Sequence, residues 1–161
     1  MSKQKLEHYV SQSLKHFGNW YLKLQVMPLA HTTSPADFIV ITQNYNYLIE
    51  CKQVTCKSVN CKEDMQGTRK NYYFYIDRLT QNLDLLSFEN VSMNNRAFVI
   101  LLFWHGSLKK SNCFIIPIQS FNDCEIIVKK SLTEEYCLNC DKIYKLSVLP
   151  GSILDISNFI V

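Results

Sequence analysis

The spacing of apolar positions divides the chain into helical and extended segments. Leu6, Tyr9, Val10, Leu14 and Phe17 recur at intervals of three or four residues, which predicts an amphipathic helix opened by Ser2 as a candidate cap and closed by Gly18. Residues 21–27 alternate loosely and read as a short strand, followed by a turn-rich loop over 28–35. Residues 37–42 and 47–54 are two β-rich runs joined by a connection over 43–46 that contains Asn44 and Asn46, so an antiparallel hairpin is expected. No clear period runs through 56–70, which reads as a surface loop. A second helix is expected over 72–88, where Tyr72, Ile76, Leu79, Leu83 and Leu86 form one stripe. Residues 96–104 are almost wholly apolar, as in a central strand covered on both faces, and 113–119 form a further strand that Pro117 places towards an edge. The rest is weaker: residues 120–130, then Cys137-x-x-Cys140, then an apolar run over 143–161 broken by Pro150 and Gly151.

Helix, strand, hairpin, helix, strand, strand and a mixed tail make an α/β (α+β) arrangement with a central mixed β-sheet flanked by helices. Composition agrees with a single domain over 1–161: the 161 residues are 47% hydrophobic and 19% charged, with only four Gly and four Pro, which excludes disorder and collagen-like repeats. Roughly two thirds of the unfolded surface is buried in a chain of this size, enough for a core without disulfides or a structural metal. No apolar run approaches the ~18 residues of a membrane span, and the first twenty residues lack a leader pattern. Together with seven cysteines, an odd number, this predicts a soluble cytoplasmic protein with reduced thiols and no membrane partner.

A net charge of +3 is modest, but its distribution matters more. Between positions 52 and 78 the basic residues Lys52, Lys57, Lys62, Arg69, Lys70 and Arg78 outnumber Glu63, Asp64 and Asp77, and Tyr72, Tyr73, Phe74 and Tyr75 interleave with them. Such a segment suits a phosphate backbone, with Lys62, Arg69, Lys70 and Arg78 as candidate DNA contacts; the plainer reading is a solvated loop beside core-facing aromatics.

The residues that carry chemistry are Asp37, Glu50 and Lys52. Asp37 opens the first hairpin strand and Glu50 lies near the end of the second, with twelve residues between them, so antiparallel pairing brings both carboxylates to one end of the sheet. Alternation puts Glu50 and Lys52 on one face and turns Cys51 away. Two carboxylates and the Cys51 carbonyl suit Mg²⁺ or Mn²⁺, hard cations that retain water and are completed by phosphate. A neighbouring lysine then acts on the attacking water and the phosphate. Read plainly, these are solvated charges at strand ends.

In its context this pattern resembles the PD-(D/E)xK nuclease superfamily, and within it the Holliday-junction resolvases of the RecU, archaeal and viral types. The likeness runs over residues 5–155 and rests on Pro35-Ala36-Asp37, Glu50-Cys51-Lys52, the segment 76–86, the runs 97–104 and 114–118, and the closing segment 149–155. It implies a restriction-endonuclease-like fold and Mg²⁺- or Mn²⁺-dependent cutting of DNA, four-way junctions above all, by a two-fold homodimer. It also implies that Glu7 on the first helix assists metal binding and that Gln81 on the helix after Glu-x-Lys assists catalysis. RecU-type enzymes carry a long basic stalk between first helix and hairpin, and here only residues 20–36 fill that place. Alternatives left open are a restriction-like or nicking enzyme on duplexes, a non-catalytic DNA-binding module, and a zinc-stapled interaction domain in which Cys56, Cys61, Cys137 and Cys140 share one tetrahedral ion.

Overall fold

A computed structural model describes residues 4–24, 34–55, 61–63, 70–122 and 130–161. Helix α1 (Gln4–His16) leads through Gly18, which sits at φ +74°, into β1 (Trp20–Lys23). The left-handed turn at Gly18 costs an L side chain energy that glycine avoids. Strands β2 (Phe38–Ile41) and β3 (Asn46–Thr55) form the expected antiparallel hairpin, with Phe38 opposite Ile49 and Ile41 opposite Asn46. The near-continuous apolar run becomes β6 (Asn95–Trp104), which lies parallel to β3 and antiparallel to β7 (Asn112–Pro117). With β9 (Tyr144–Leu146) beside β7, the main sheet runs β1-β2-β3-β6-β7-β9, so Pro117 does lie one strand from the edge. A mixed sheet flanked by helices is the fold class expected from the sequence.

The inner strands β2, β3, β6 and β7 send alternate side chains to two separate cores. On one face Leu6, Val10 and Leu14 of α1 meet Phe38, Ile49, Cys51, Ile100 and Ile115, and the closing segment with Leu154, Ile156 and Ile160 completes the layer. On the other face Leu48, Val54, Val99, Leu101 and Phe114 meet Phe74, Leu79, Leu85, Leu132 and Cys137. Burial on both sides explains why β6 reads as an unbroken apolar run.

The second layer differs from the expected single helix over 72–88. Lys70–Tyr75 is strand β5, paired with β4 (Cys61–Glu63) on one side and β8 (Ser131–Thr133) on the other. A 3₁₀ turn (Ile76–Arg78) follows, and helix α2 spans only Asn82–Val91. The apparent stripe fails because Leu83 is 76% exposed whereas Leu85, outside the stripe, is fully buried. The aromatic run 72–75 has strong extended preference, and pairing with β8, some sixty residues on, decides its state. The loop expected over 56–70 is likewise corrected at 61–63, which are β4; its residues 56–60 and 64–69 lie outside the described set. Of the Cys-x-x-Cys segment, Cys137 lies on helix α3 (Glu134–Asn139) and Cys140 is its C-cap; Thr133 caps the other end, its hydroxyl accepting from the Tyr136 N–H. Among the described residues no helix is long and apolar enough to cross a membrane.

Ser13 ties α1 to the closing hairpin β10 (Val148–Leu149) and β11 (Ile153–Leu154). Its fully buried hydroxyl donates to the Tyr9 carbonyl at 2.8 Å and accepts the Leu154 N–H at 2.8 Å. Ser13→Ala strands that N–H without a partner and is expected to cost about 1–3 kcal/mol in urea unfolding. A cost below about 0.5 kcal/mol contradicts this anchoring role.

Candidate functional site

The site forms where β2 begins. The ladder between β2 and β3 is last paired at Phe38 and Ile49, so β3 runs on from Glu50 to Thr55 with β6 on one side and no β2 residue on the other. Asp37, one residue before the ladder, reaches across this released edge, and its Oδ2 accepts the Cys51 N–H at 2.7 Å. A carboxylate thus replaces the missing strand. In extended backbone a residue's N–H and C=O point to the same side, so the Cys51 carbonyl faces the same edge. Its thiol points to the α1 core, where burial, and after it the charges of Asp37, Glu50 and Glu7, push it well above the usual range.

Glu50 and Lys52 project to the other face, between Leu48 and Val54. Their side chains are 1% and 9% exposed, and Lys52 Nζ lies 2.6 Å from Glu50 Oε1. Lys52 Nζ also donates to Gln81 Oε1 at 3.1 Å, and Thr80 Oγ1 donates to the same oxygen at 3.0 Å. Gln81 occupies the N-cap position of α2 rather than a place within a long helix, and the shortened helix still delivers it to Lys52. Asp37, Glu50, Lys52 and Gln81 line one cavity of about 480 Å³ with Ser34, Gln53, Tyr73, Tyr75, Arg78 and Thr80.

Glu7 is placed differently. Its carboxylate pairs with Lys23 at 2.7 Å on the α1 side of the sheet, and it is not among the cavity-lining residues. Lys23 lies opposite Phe38 in the β1–β2 ladder and therefore shares the α1 face, which is why the Glu7 side chain is drawn there. The hydrogen bond from this ammonium to Glu7 raises the Lys23 pKa.

Of the candidate DNA contacts, Arg78 lines the cavity with its guanidinium 5.5 Å above the Tyr75 ring. Lys62 and Lys70 enter through their backbones in β4 and β5, while Arg69 lies outside the described residues. Of the four cysteines considered for zinc, Cys56 lies outside them, Cys61 is placed by its backbone in β4, Cys137 is buried and Cys140 half-buried. Among the described residues no three His, Cys, Asp or Glu side chains come together as a metal-binding group. Lys23 and Thr80 carry no signal in the sequence: Lys23 pairs across elements, and Thr80 lies within the segment whose spacing reads as a helix.

No family model matches the chain, and no curated protein matches it. Among solved structures it is similar to Hjc, a Holliday junction resolvase from the archaeal hyperthermophile Archaeoglobus fulgidus, with 13% identity over 88% of this chain and 85% of that one and a TM-score of 0.45.

Two stability measurements test this geometry. Lys52→Met removes the ammonium beside a carboxylate that water scarcely reaches and is expected to cost about 3 kcal/mol, whereas the Glu50→Leu/Lys52→Met double variant should recover at least half of that. A double variant as unstable as the single one contradicts the buried pair. Separately, burial pushes the Cys137 thiol up to about 12 from its ordinary 9.0, so the folded chain keeps this proton when the unfolded chain has lost it. Cys137 therefore contributes no pH dependence below about pH 8, and its share of stability falls by up to about 1.4 kcal/mol per pH unit between 9.0 and about 12. Comparing urea unfolding at pH 8 and 10 for wild type and Cys137→Ala should show a shallower decline in the variant.

Proposed function

We propose that this chain is a metal-dependent endonuclease that hydrolyses phosphodiester bonds in DNA, with branched DNA such as four-way junctions as its substrate. The observation that carries this reading is the convergence of Asp37, Glu50, Lys52 and Gln81 on one cavity at the end of the sheet. The donor set fits a hard divalent cation: two carboxylates and the edge-facing Cys51 carbonyl are all oxygen ligands, and an open cavity leaves room for the waters that Mg²⁺ retains. Asp37, Glu50 and Cys51 would hold Mg²⁺ or Mn²⁺. Such an ion, when bound, lowers the pKa of a coordinated water and offsets charge on phosphorus.

The protein's own groups complete the chemistry. Lys52, gripped by Glu50 and Gln81, presents an ammonium at a fixed point, where its third N–H is left to donate to a phosphate oxygen or to the attacking water. Gln81 orients Lys52, and Thr80 orients Gln81. Asp37 is held by the Cys51 N–H, so its carboxylate is in position before substrate arrives. Arg78 adds a positive charge at the cavity wall for a neighbouring phosphate, and the basic residues Lys62, Arg69 and Lys70 belong to the same stretch of chain. Two symmetry-related cuts in a junction call for a two-fold homodimer, acting wherever the cell keeps its DNA. Glu7 would assist the metal only by leaving Lys23.

Purified chain with Mg²⁺ should cut a labelled four-way junction at paired symmetric positions, ahead of a flap, a linear duplex and a single strand. Asp37→Asn and Lys52→Ala should each lower the rate about 100-fold or more, with folding checked by circular dichroism. Equal cutting of every form points to a duplex or general nuclease, and no Mg²⁺-dependent cutting of any form overturns the enzyme.

A further inference from the structure

One wall of the cavity is aromatic rather than acidic. Strand β5 turns Phe74 into the core, where it is 5% exposed, and by alternation turns Tyr73 and Tyr75 outward, both half-buried. The two rings stack with centroids 6.4 Å apart and 25° between their planes, and the Arg78 guanidinium lies 5.5 Å above the Tyr75 ring. All three side chains line the same cavity as Asp37, Glu50 and Lys52. The side chain of Arg78 is exposed, so its charge remains open to a ligand.

We infer that Tyr73, Tyr75 and Arg78 form a stacking platform for a nucleobase with an uncovered face, adjoining the phosphate held by Asp37, Glu50 and Lys52. The inference rests on the nuclease reading for the location of that phosphate. A base within a duplex has both faces covered by its neighbours, so it offers nothing to a tyrosine face. A base at a branch point, gap or single strand has an uncovered face, and stacking on an aromatic ring or a guanidinium plane stabilises it regardless of base identity. Arg78 supplies both elements required: a flat cation over Tyr75 and a charge within reach of a flanking phosphate. A cavity of about 480 Å³ lies within the size range of sites that enclose small ligands. The platform therefore selects DNA by whether a base face at the cut is uncovered, which separates a branch point from a continuous duplex.

The test is binding in chelator, which does not depend on cleavage. A twelve-nucleotide single strand with a central 2-aminopurine, and the same strand fully paired, are titrated with wild type, Tyr75→Leu, Tyr75→Phe and Arg78→Ala. Wild type should quench the single-stranded probe strongly and the duplex little. Tyr75→Leu, which removes the ring but keeps an apolar side chain, should weaken single-strand binding about tenfold and leave duplex binding unchanged, while Tyr75→Phe keeps the ring and the affinity. Arg78→Ala, at an exposed position that tolerates substitution, should lose both affinity and part of the salt dependence. Equal affinity of wild type and Tyr75→Leu for the single strand, or equal quenching of both probes by wild type, overturns the platform. Failure of the nuclease reading shows separately, as absence of Mg²⁺-dependent cutting by the same preparations.

Discussion

The candidate site depends on one substitution of partners along a strand edge. β3 needs its backbone groups satisfied past Ile49, where β2 is no longer there to accept them, and the Asp37 carboxylate takes the Cys51 N–H in place of a strand. A charged acceptor makes this bond stronger than the ladder bond it replaces. The consequence is geometric: the acid that ends one strand is locked to the position between the acid and the lysine of the next. The hairpin's register and the placement of the chemistry are therefore the same fact, because a slip of one residue would send Glu50 and Lys52 to the α1 face and lose the Asp37 contact together.

The buried pair of Glu50 and Lys52 works against stability unless it is fully matched. Removing two charges from water costs several kcal/mol each, and their attraction returns roughly that amount only with close geometry and further hydrogen bonds. Here the ammonium is shared between Glu50 and Gln81, which meets the second condition. A hydrophobic pair between Leu48 and Val54 would serve the core equally well, so packing alone does not account for an acid and an amine at these positions. By contrast the pair of Glu7 and Lys23, with Lys23 41% exposed, sits where screening by water leaves little net effect in either direction.

How much of this was legible in the sequence follows the range of the interactions involved. The hairpin, with Asp37, Glu50 and Lys52 at one end, is decided by alternation and a short turn, both local, and the apolar run of β6 announces its own burial. Gln81 came to Lys52 although its setting was misjudged, since the turn over Ile76–Arg78 and the start of α2 bring it to the same place. Glu7 shows the opposite case. Its position at the edge of the α1 stripe is visible, but which face of the sheet α1 covers is decided by Leu6, Val10 and Leu14 meeting Phe38, Ile49 and Ile100, contacts that no local pattern encodes. Once α1 lies on that face, Lys23 is the partner at hand.

In the segment 72–88 tertiary pairing overrides the local pattern, and the aromatic wall of the cavity depends on it. As a helix, residues 72–88 would have sent Tyr72 and Ile76 to one side and scattered Tyr73 and Tyr75 around the axis, 200° apart at 100° per residue. As a strand, period two stacks Tyr73 on Tyr75 on a single face and sends Phe74 inward alone. The choice between the periods is made by β8, whose Ser131, Leu132 and Thr133 pair with Tyr75, Phe74 and Tyr73. A contact remote in sequence thus decides whether the tyrosines are packing material or a wall of the cavity that Asp37 and Glu50 also line.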